Sequence, residues 1–417
     1  MDKERLRSIL RRAAIVLLVV TAVLLLRQTE FFSSARSGPA AVETSEWGSV
    51  AAANAEASAA LRPRAVAVRS ADGTGRASVV DGENTQQAFR RVSAFLGEAL
   101  GSAGEPEEIG EAEFRDALRT ENVLVDPGAL YPLELLSDWL GIGAGGVRGW
   151  SGDLLCLVVE GERVSLCFRD GAGGFYRCAT AAQAETLSAR IAEFQGARAS
   201  FAYENPLLEG VEPYFLVSSV MPELKTVSAA PSAETVGMEA LTASVGMNSR
   251  LVTSYYDADG TLVLNEDEKA LRLSRDGTMS YRAPDTPVKA AGEDLTAAVN
   301  LAYRLAENSA GRGCGDAEVC FAGVETQENG WYTVFFDYSL RGVPVLLPEG
   351  RAVTVTVGDG AVRWAQAALR RYSFGEEPEA VLPALQAAAA AAAQGVETPA
   401  LVYLDAGDHV RCDWVVG

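Results

Sequence analysis

The sequence predicts an α+β protein in which an N-terminal transmembrane helix precedes an extracytoplasmic, multidomain part of antiparallel sheets, each packed with helices. Three observations lead to this fold class. An uncharged apolar run covers residues 13–26. Amphipathic segments with a helical period recur along the rest of the chain. Between them lie short segments rich in β-branched and aromatic residues, and the tight turns that separate these segments indicate antiparallel pairing.

The run at 13–26 is predicted to anchor the chain in the cell membrane as a single pass. Basic residues are concentrated in the tail before it, residues 1–12, and this bias places the N-terminus in the cytoplasm. As a helix the uncharged run rises only ~21 Å, against a hydrocarbon core of ~30 Å. If Arg11 and Arg12 reach the inner headgroups, the helix can extend back to Leu6 and span the core.

A cleaved signal peptide is the alternative interpretation of this run. Its apolar region would be about 7–15 residues long, and Ser33-Ser34-Ala35 could serve as the cleavage site. The bulky Phe31 and Phe32 and the charged Arg27 and Glu30 make a poor approach to such a site. The sequence therefore favours an uncleaved anchor.

The composition limits the partners of the exported part. The chain has 417 residues and a formal net charge of −20, although its N-terminal tail is basic. So acidic a surface disfavours nucleic acid as a partner and contact with anionic lipid. We divide the exported part into a stalk at 27–60, a mixed α/β domain at 61–180, a middle helix-plus-antiparallel-sheet domain at 181–290, and a C-terminal domain of the same kind at 291–417.

The first of these domains mixes strands and helices. Its apolar periods predict strands at Ala65–Val68 and Asn122–Asp126, an amphipathic helix at Thr85–Leu100, and shorter helices at Glu111–Leu118 and Pro132–Leu140. Pro127 stops the second strand, and Gly141 ends the last helix.

Residues Leu154–Ala179 are predicted to form a three-stranded meander with two-residue turns, the second at Ala172-Gly173. Each cysteine of this segment is then equidistant from the intervening turn, so Cys156 lies opposite Cys167, and Cys167 opposite Cys178. Three thiols on one rung cannot all pair. We interpret them as core thiols.

The other cysteines do not indicate a disulfide framework or a metal site. Cys314 and Cys320 flank a loop that contains Gly315 and could form a disulfide, whereas Cys412 has no obvious partner. The spacings lack a Cys-x-x-Cys pair, and the chain has one histidine, which argues against zinc. We predict no cofactor and no metal.

The middle and C-terminal segments show a similar order of elements, which predicts a structural repeat of one helix against an antiparallel sheet. The middle segment has a helix at Ala181–Phe194 and strands at Tyr214–Ser218, Leu251–Asp257, Leu262–Asn265, Ala270–Ser274 and Thr278–Tyr281. The C-terminal segment has a helix at Asp294–Glu307, strands at Glu318–Thr326, Trp331–Leu340, Arg351–Val357 and Val362–Tyr372, a helix at Glu376–Gln394, and a hairpin of Leu401–Asp405 with His409–Val415.

The sequence argues against an enzyme. His409, the single histidine, lies beside a tight hairpin turn, where a turn residue is expected and not a general base. A Gly-x-Ser-x-Gly elbow, a His-Glu-x-x-His helix and a phosphate-binding glycine loop are all absent. Asp257-Ala258-Asp259-Gly260 with Glu268 is similar to a calcium loop, but its glycine falls at the fourth place and not the sixth, so we interpret it as a hairpin turn. No catalytic, cofactor-binding or metal-binding residue is assigned.

Several segments, in order along the chain, resemble the YycH family. They are the basic tail with its short anchor, Arg62–Val66, Tyr255–Leu262, Leu271–Tyr281 and Tyr338–Val345. Members of this family and their smaller YycI relatives are single-pass accessory regulators of the essential cell-wall sensor histidine kinase of Gram-positive bacteria. The resemblance implies a mixed N-terminal domain followed by two related α+β domains. It also implies a sensor histidine kinase and a YycI-like co-regulator as partners, and contact between the anchor and the kinase's transmembrane helices.

Helices in lipid associate through close packing of small residues, and one stripe of the anchor offers them. Ala14, Leu18, Thr21 and Ala22 form this candidate partner face. The function predicted from the resemblance is modulation of the kinase, without catalysis, through transmembrane and ectodomain contacts. The alternative is a membrane-tethered extracellular module that binds wall polymer or an extracellular protease, of the germination or peptidase-associated type.

Overall fold

The computed structural model describes residues 52–284, 294–396, 398–407 and 409–416. Within these ranges no helix is both long enough and apolar enough to cross a membrane. The predicted anchor at 13–26 lies outside the described residues, and so do its partner face and the tail at 1–12. The predicted α+β class, with antiparallel sheets packed by helices, is confirmed for the described part.

The first sheet has nine strands, all antiparallel to their neighbours. They are β1 (Ala65–Arg69), β2 (Gly75–Val79), β3 (Glu107–Ile109), β4 (Asn122–Asp126), β7 (Leu154–Glu160), β8 (Arg163–Arg169), β9 (Phe175–Gln183), β10 (Ala197–Phe201) and β11 (Leu216–Ser218), while β5 (Tyr131–Pro132) and β6 (Ser151–Gly152) form a separate pair. The order across the sheet is β11-β10-β2-β1-β4-β7-β8-β9-β3.

Helices cover both faces of the first sheet. They are α1 (Gly82–Ser102), α2 (Glu111–Arg119), α3 (Leu133–Trp139) and α4 (Ala184–Ala192), with 3-10 turns at Ser58–Ala60, Ala202–Glu204 and Pro206–Leu208. On one face α1 buries Val92 and Leu96, which stand one helical turn apart. On the other, α2 buries Phe114 and Leu118. The nearly continuous apolar sequence of β7 follows from this double burial.

The second sheet has thirteen strands. They are β12 (Lys225–Pro231), β13 (Thr253–Tyr256), β14 (Leu262–Glu266), β15 (Lys269–Leu273), β16 (Thr278–Arg282), β17 (Glu318–Thr326), β18 (Tyr332–Leu340), β19 (Val343–Leu346), β20 (Val353–Gly358), β21 (Ala361–Ala368), β22 (Arg370–Pro378), β23 (Pro399–Asp405) and β24 (Val410–Val416). Their order is β13-β14-β15-β16-β21-β20-β18-β19-β23-β24-β12-β22, and β17 also pairs with β18. The pairing of β19 with β23 is parallel.

Three helices belong to this half of the chain: α5 (Met238–Ser244), α6 (Leu295–Ser309) and α7 (Ala384–Gln394), with 3-10 turns at Ala233–Thr235 and Gly311–Gly313. The Asp294 carboxylate caps α6 by accepting the Ala297 N–H at 2.7 Å. The apolar side of α6 contacts β18, β20 and β21 on one face of the sheet. On β16, which lies in this half of the sheet, buried and more exposed residues therefore alternate from Thr278 to Arg282.

One predicted cysteine pairing is confirmed and one is wrong. Cys156 lies opposite Cys167 on β7 and β8. Cys178, however, lies opposite Leu166, because the loop between β8 and β9 covers 170–174 instead of a two-residue turn. The Asp170 carboxylate stabilises this longer loop by accepting the Ala172 and Gly174 N–H groups at 3.0 and 2.7 Å. The one-residue change in register moves Cys178 to the opposite face of the sheet.

All six cysteines fall in the described part of the chain, and all are free thiols. The Cys314 thiol donates toward the Gly311 and Ala317 carbonyl oxygens, at 2.8 Å each. Cys314 and Cys320 are therefore not bridged in this structure.

The predicted helix-and-sheet repeat is wrong. β16 pairs with β21 over its whole length, so strands of the middle and C-terminal segments share one sheet. The helix predicted at Ala181–Phe194 forms as α4, but it packs on the first sheet against α1 and β7. The last strand of the first sheet ends at Ser218, and the first strand of the second sheet begins at Lys225. The change from one sheet to the other therefore does not coincide with the predicted domain boundary at 180. The division into domains itself remains a prediction.

The alanine-rich helix begins later than its propensity predicts. The sequence favoured a helix from Glu376, but Arg370–Pro378 forms β22 by pairing with β12, and α7 begins only at Ala384. Tertiary pairing overrides local propensity here. The closing hairpin of β23 and β24 is confirmed.

Candidate functional site

The two sheets meet along a seam, which we define as residues 52–62, α3, α6 and β17. Residues 27–60 were predicted to form a stalk, and this prediction is wrong for the end of that stretch. Residues 52–60 are helical, and Ala57, Ala60 and Leu61 are buried in the common core. These three stand at helical spacing, which is the sequence signal that the stalk assignment passed over.

A buried polar network fixes residue 54 at the seam. The Asn300 side chain, only 5% exposed on α6, donates to the Asn54 side-chain oxygen at 2.6 Å and accepts the Trp139 indole N–H at 2.9 Å. On α3, Asp138 accepts the Thr296 hydroxyl of α6 at 2.6 Å. A displacement of the segment at 52–60 would therefore disturb hydrogen bonds of α3, which packs with the first sheet, and of α6, which packs on the second.

Aromatic rings and an ion pair complete the seam. Tyr131 contacts Phe321 of β17, with ring centroids 4.7 Å apart, and Trp139 stands edge-on to the same ring. Burial raises the pKa of Tyr131 well above its ordinary value, and its hydroxyl finds no hydrogen-bond partner among the described residues. The Arg62 guanidinium pairs with Glu318 at 2.5 Å, but the Glu318 side chain is 56% exposed, so this pair adds little stability.

A second contact joins the sheets through backbone alone. The Gly82 N–H donates to the Arg341 carbonyl at 2.7 Å, where α1 begins against the turn between β18 and β19. A Cβ at Gly82 would lie 2.8 Å from the Arg341 backbone, so the close approach requires glycine.

An apolar cleft with charged residues at one end opens beside this junction. It holds about 100 Å³ and is lined by residues of both sheets, among them Phe215, Leu401 and Trp414. Its charged groups are paired: Arg64 binds Asp126 at 2.7 Å, and Arg169 binds Asp153 at 2.8 Å and Glu212 at 2.5 Å. Each cation is compensated within the protein, so the cleft carries no uncompensated arginine.

The groups that could perform chemistry are poorly placed for it. Burial raises the pKa of Cys167 to about 11 and that of Cys178 to about 12, so both thiols stay protonated near neutral pH. His409 is exposed beside the turn that joins β23 to β24, as predicted. Across the described ranges no group of three or more His, Cys, Asp or Glu residues could hold a metal ion.

The acidic segment at Asp257 forms the hairpin turn that the sequence predicted. It joins β13 to β14, and the Thr261 N–H donates to the carboxylates of Asp257 and Asp259 at 3.1 and 3.0 Å. The pKa of Asp259 is lowered to about 2, mainly by its hydrogen bond with Asp257 and further by the Thr261 N–H. The carboxylates therefore stabilise the turn.

Comparison with known proteins identifies the fold. No protein-family model matches the sequence, and no curated protein matches it. The crystal structure of YycH from Bacillus subtilis is similar, with a TM-score of 0.55 over 86% of this chain and 94% of that chain, at 11% sequence identity. The chain has the YycH fold, in agreement with the family resemblance of its sequence.

Proposed function

We propose that the chain is a non-catalytic regulator that binds a sensor histidine kinase controlling cell-wall metabolism and modulates its activity. The observation that carries the proposal is the YycH fold, which extends over 86% of the chain. The protein would be held in the cell membrane by one helix at 13–26, with its N-terminus in the cytoplasm and its sheets outside. A YycI-like co-regulator is the second partner that the resemblance favours.

The seam supports a mechanical role for this regulator. Residues 52–62 follow the proposed anchor along the chain, and Asn54 binds both the Asp138 carbonyl of α3 at 3.4 Å and the Asn300 side chain of α6 at 2.6 Å. A change in how the two sheets meet would alter the position of this segment, which is the described part of the chain nearest in sequence to the proposed anchor. A coupling of only about 1–3 kcal/mol is enough to bias a kinase with two signalling states.

Co-purification of the full chain with the kinase from solubilised membranes tests the proposal. We expect the pair to be recovered together and kinase output to change when the chain is removed. Asn300→Leu, which breaks the seam network, should weaken the change in output and leave recovery intact. Asn308→Leu, on the same helix but bonded to Ser244 at 3.3 Å, is the matched control. A chain that neither binds the kinase nor alters its output would contradict the proposal.

Replacement of the anchor locates the contact. Exchanging residues 13–26 for an unrelated transmembrane helix, at equal abundance in the membrane, should reduce the effect on the kinase if the anchor touches it. Within the native anchor, Ala14→Leu and Ala22→Leu should reduce the effect by steric crowding, whereas Val16→Leu on another side should not. Unchanged output after the exchange would place the contact in the extracytoplasmic part.

A further inference from the structure

One face of the second sheet carries no covering helix among the described residues, and its surface chemistry is distinctive. We call this side of β16, β21 and β20 the open face. Trp364 is 38% exposed on it and lies directly opposite Arg282. Two residues along β21, Gln366 lies between Ser280 and Thr354 in the cross-strand register. The face therefore presents one large aromatic ring beside hydroxyl, amide and guanidinium groups.

The open face runs into a groove where the sheet folds back on itself. The groove holds about 270 Å³. Thr278, Thr354, Gln366 and Ala368 of the open face form its floor, and the loop at 347–351 and the residues Arg370, Asp405 and Gly407 form its walls. Trp364 and Ala368 lie four residues apart along β21, so platform and groove together extend about 13 Å.

The arginines of the groove are held in position by ion pairs. Asp405 accepts two hydrogen bonds from the Arg370 guanidinium, at 2.9 and 2.8 Å, one from the Tyr372 hydroxyl at 2.8 Å and one from the Gly407 N–H at 2.8 Å. Arg351 is paired with Asp337. Each arginine of the groove is neutralised by an aspartate, and the carboxylates of Asp276 and Glu349 also line it, so the groove offers hydrogen bonds but no uncompensated cation.

These features select among ligand classes. An anionic polymer would need uncompensated cations in the groove, and an apolar peptide would need an apolar floor. A sugar ring packs its C–H face on an aromatic side chain and hydrogen-bonds its hydroxyl groups to amide, hydroxyl and guanidinium groups at the edge. A groove without an uncompensated cation, an exposed tryptophan and a combined length of platform and groove of about 13 Å match two or three linked, uncharged sugar rings.

We propose that the open face and its groove form a binding site for an uncharged glycan strand, with Trp364 as the stacking platform and Gln366 and Thr354 as hydrogen-bonding groups on the floor. This site is separate from the seam and from the proposed anchor, so it goes beyond kinase regulation. It would give the protein a direct contact with polysaccharide outside the membrane.

Calorimetric titration of the full chain with a tetramer of N-acetylglucosamine tests the site. We expect saturable binding, at least tenfold weaker in Trp364→Ala and several-fold weaker in Gln366→Ala. Tyr256→Ala is the control. Tyr256 is an aromatic residue with 69% exposure, but it lies opposite Leu262 in the cross-strand row that faces away from the open face. The control variant should bind like the native chain.

Two results would overturn the glycan site: no binding of the tetramer at millimolar concentration, or equal loss in Trp364→Ala and Tyr256→Ala. A parallel titration with glycerol phosphate polymer distinguishes an anionic ligand, and binding of that polymer alone would also overturn the proposal. Kinase co-purification with Trp364→Ala separates the two proposals, since we expect the variant to recover the kinase normally although it has lost glycan binding.

Discussion

The two sheets differ in how many of their faces bury apolar residues. In the first, adjacent residues of one strand are both buried: Leu154 contacts the cluster under α2, and Leu155 the cluster under α1. In the second, Leu271 of β15 is buried under the helices while its neighbour Arg272 is exposed. Both faces of this part of the first sheet are thus buried in the hydrophobic core. The part of the second sheet formed by β15, β16 and β21 keeps one face for solvent or a partner, and this difference indicates where a binding surface lies.

Leucine truncations on opposite faces of one strand test the comparison most strongly. Leu154→Ala and Leu155→Ala should each destabilise the full chain by about 2–5 kcal/mol, because each leaves a cavity in a packed cluster. On β15, Leu271→Ala should cost a similar amount, but Arg272→Ala should stay within about 0.5 kcal/mol. Urea denaturation measures all four. A large cost for Arg272→Ala, or a negligible one for Leu154→Ala, would break the comparison.

A buried charge beside the groove sharpens the comparison of the two sheets, because some polar residues near the open face are needed for stability. Asp405→Ala leaves Arg370, whose side chain is only 13% exposed, without its partner, and should cost about 3 kcal/mol. Asp413→Ala on the neighbouring strand removes an ion pair with Arg411 whose side chains are 48% and 65% exposed, and should cost about 0–1 kcal/mol. Equal costs in thermal or urea unfolding would show that the Asp405 network contributes no special stability.

The seam should be intermediate between core and surface. Asn300→Leu leaves the Trp139 indole N–H without its acceptor and should destabilise the chain by about 1–3 kcal/mol. If the sheets are joined mainly here, hydrogen exchange should speed up in both α3 and α6. Faster exchange in α6 alone would argue that the network does not connect the two sheets.

The smallest expected effect depends on pH. Burial raises the pKa of Glu307 on α6, with repulsion from Glu56 adding to it and Arg312 opposing it. The stabilisation from the protonated carboxyl is fully present below the pKa of the unfolded chain and is lost as pH rises through the higher pKa of the folded chain. Glu307→Gln should therefore gain stability over the native chain as pH rises from 4 to 7, by less than about 1 kcal/mol after solvent screening. The opposite trend in urea midpoints would contradict this sign.

Local pattern was enough to predict most elements of the first sheet. Residues 85–100 were expected to be helical from the spacing of Ala88, Val92 and Leu96, and α1 includes them. The strand at Asn122–Asp126 was located to the residue. The error at Cys178 came from one loop, because the hydrogen bonds of Asp170 that lengthen it are not visible in apolar periodicity.

Long-range pairing was the part that local pattern could not supply. Nothing in the sequence of Thr278–Arg282 indicates that this strand pairs with β21, and the predicted repeat failed for that reason. The seam was missed because residues 51–60 read as a small-residue stalk, although Ala57, Ala60 and Leu61 carry a helical spacing. The groove depends on Asp405 meeting Arg370, which only the folded sheet brings together.

The position of β12 imposes an order on the assembly of the molecule. This strand pairs with β22 from Lys225 to Pro231 and touches β24 at Val227, so both of its partners are synthesised well after it. The strands of the first sheet all precede it and can close while synthesis continues. During that interval β12 exposes unpaired backbone groups, which invites mispairing. β12 therefore stays open to mispairing until β22 and β24 have been synthesised.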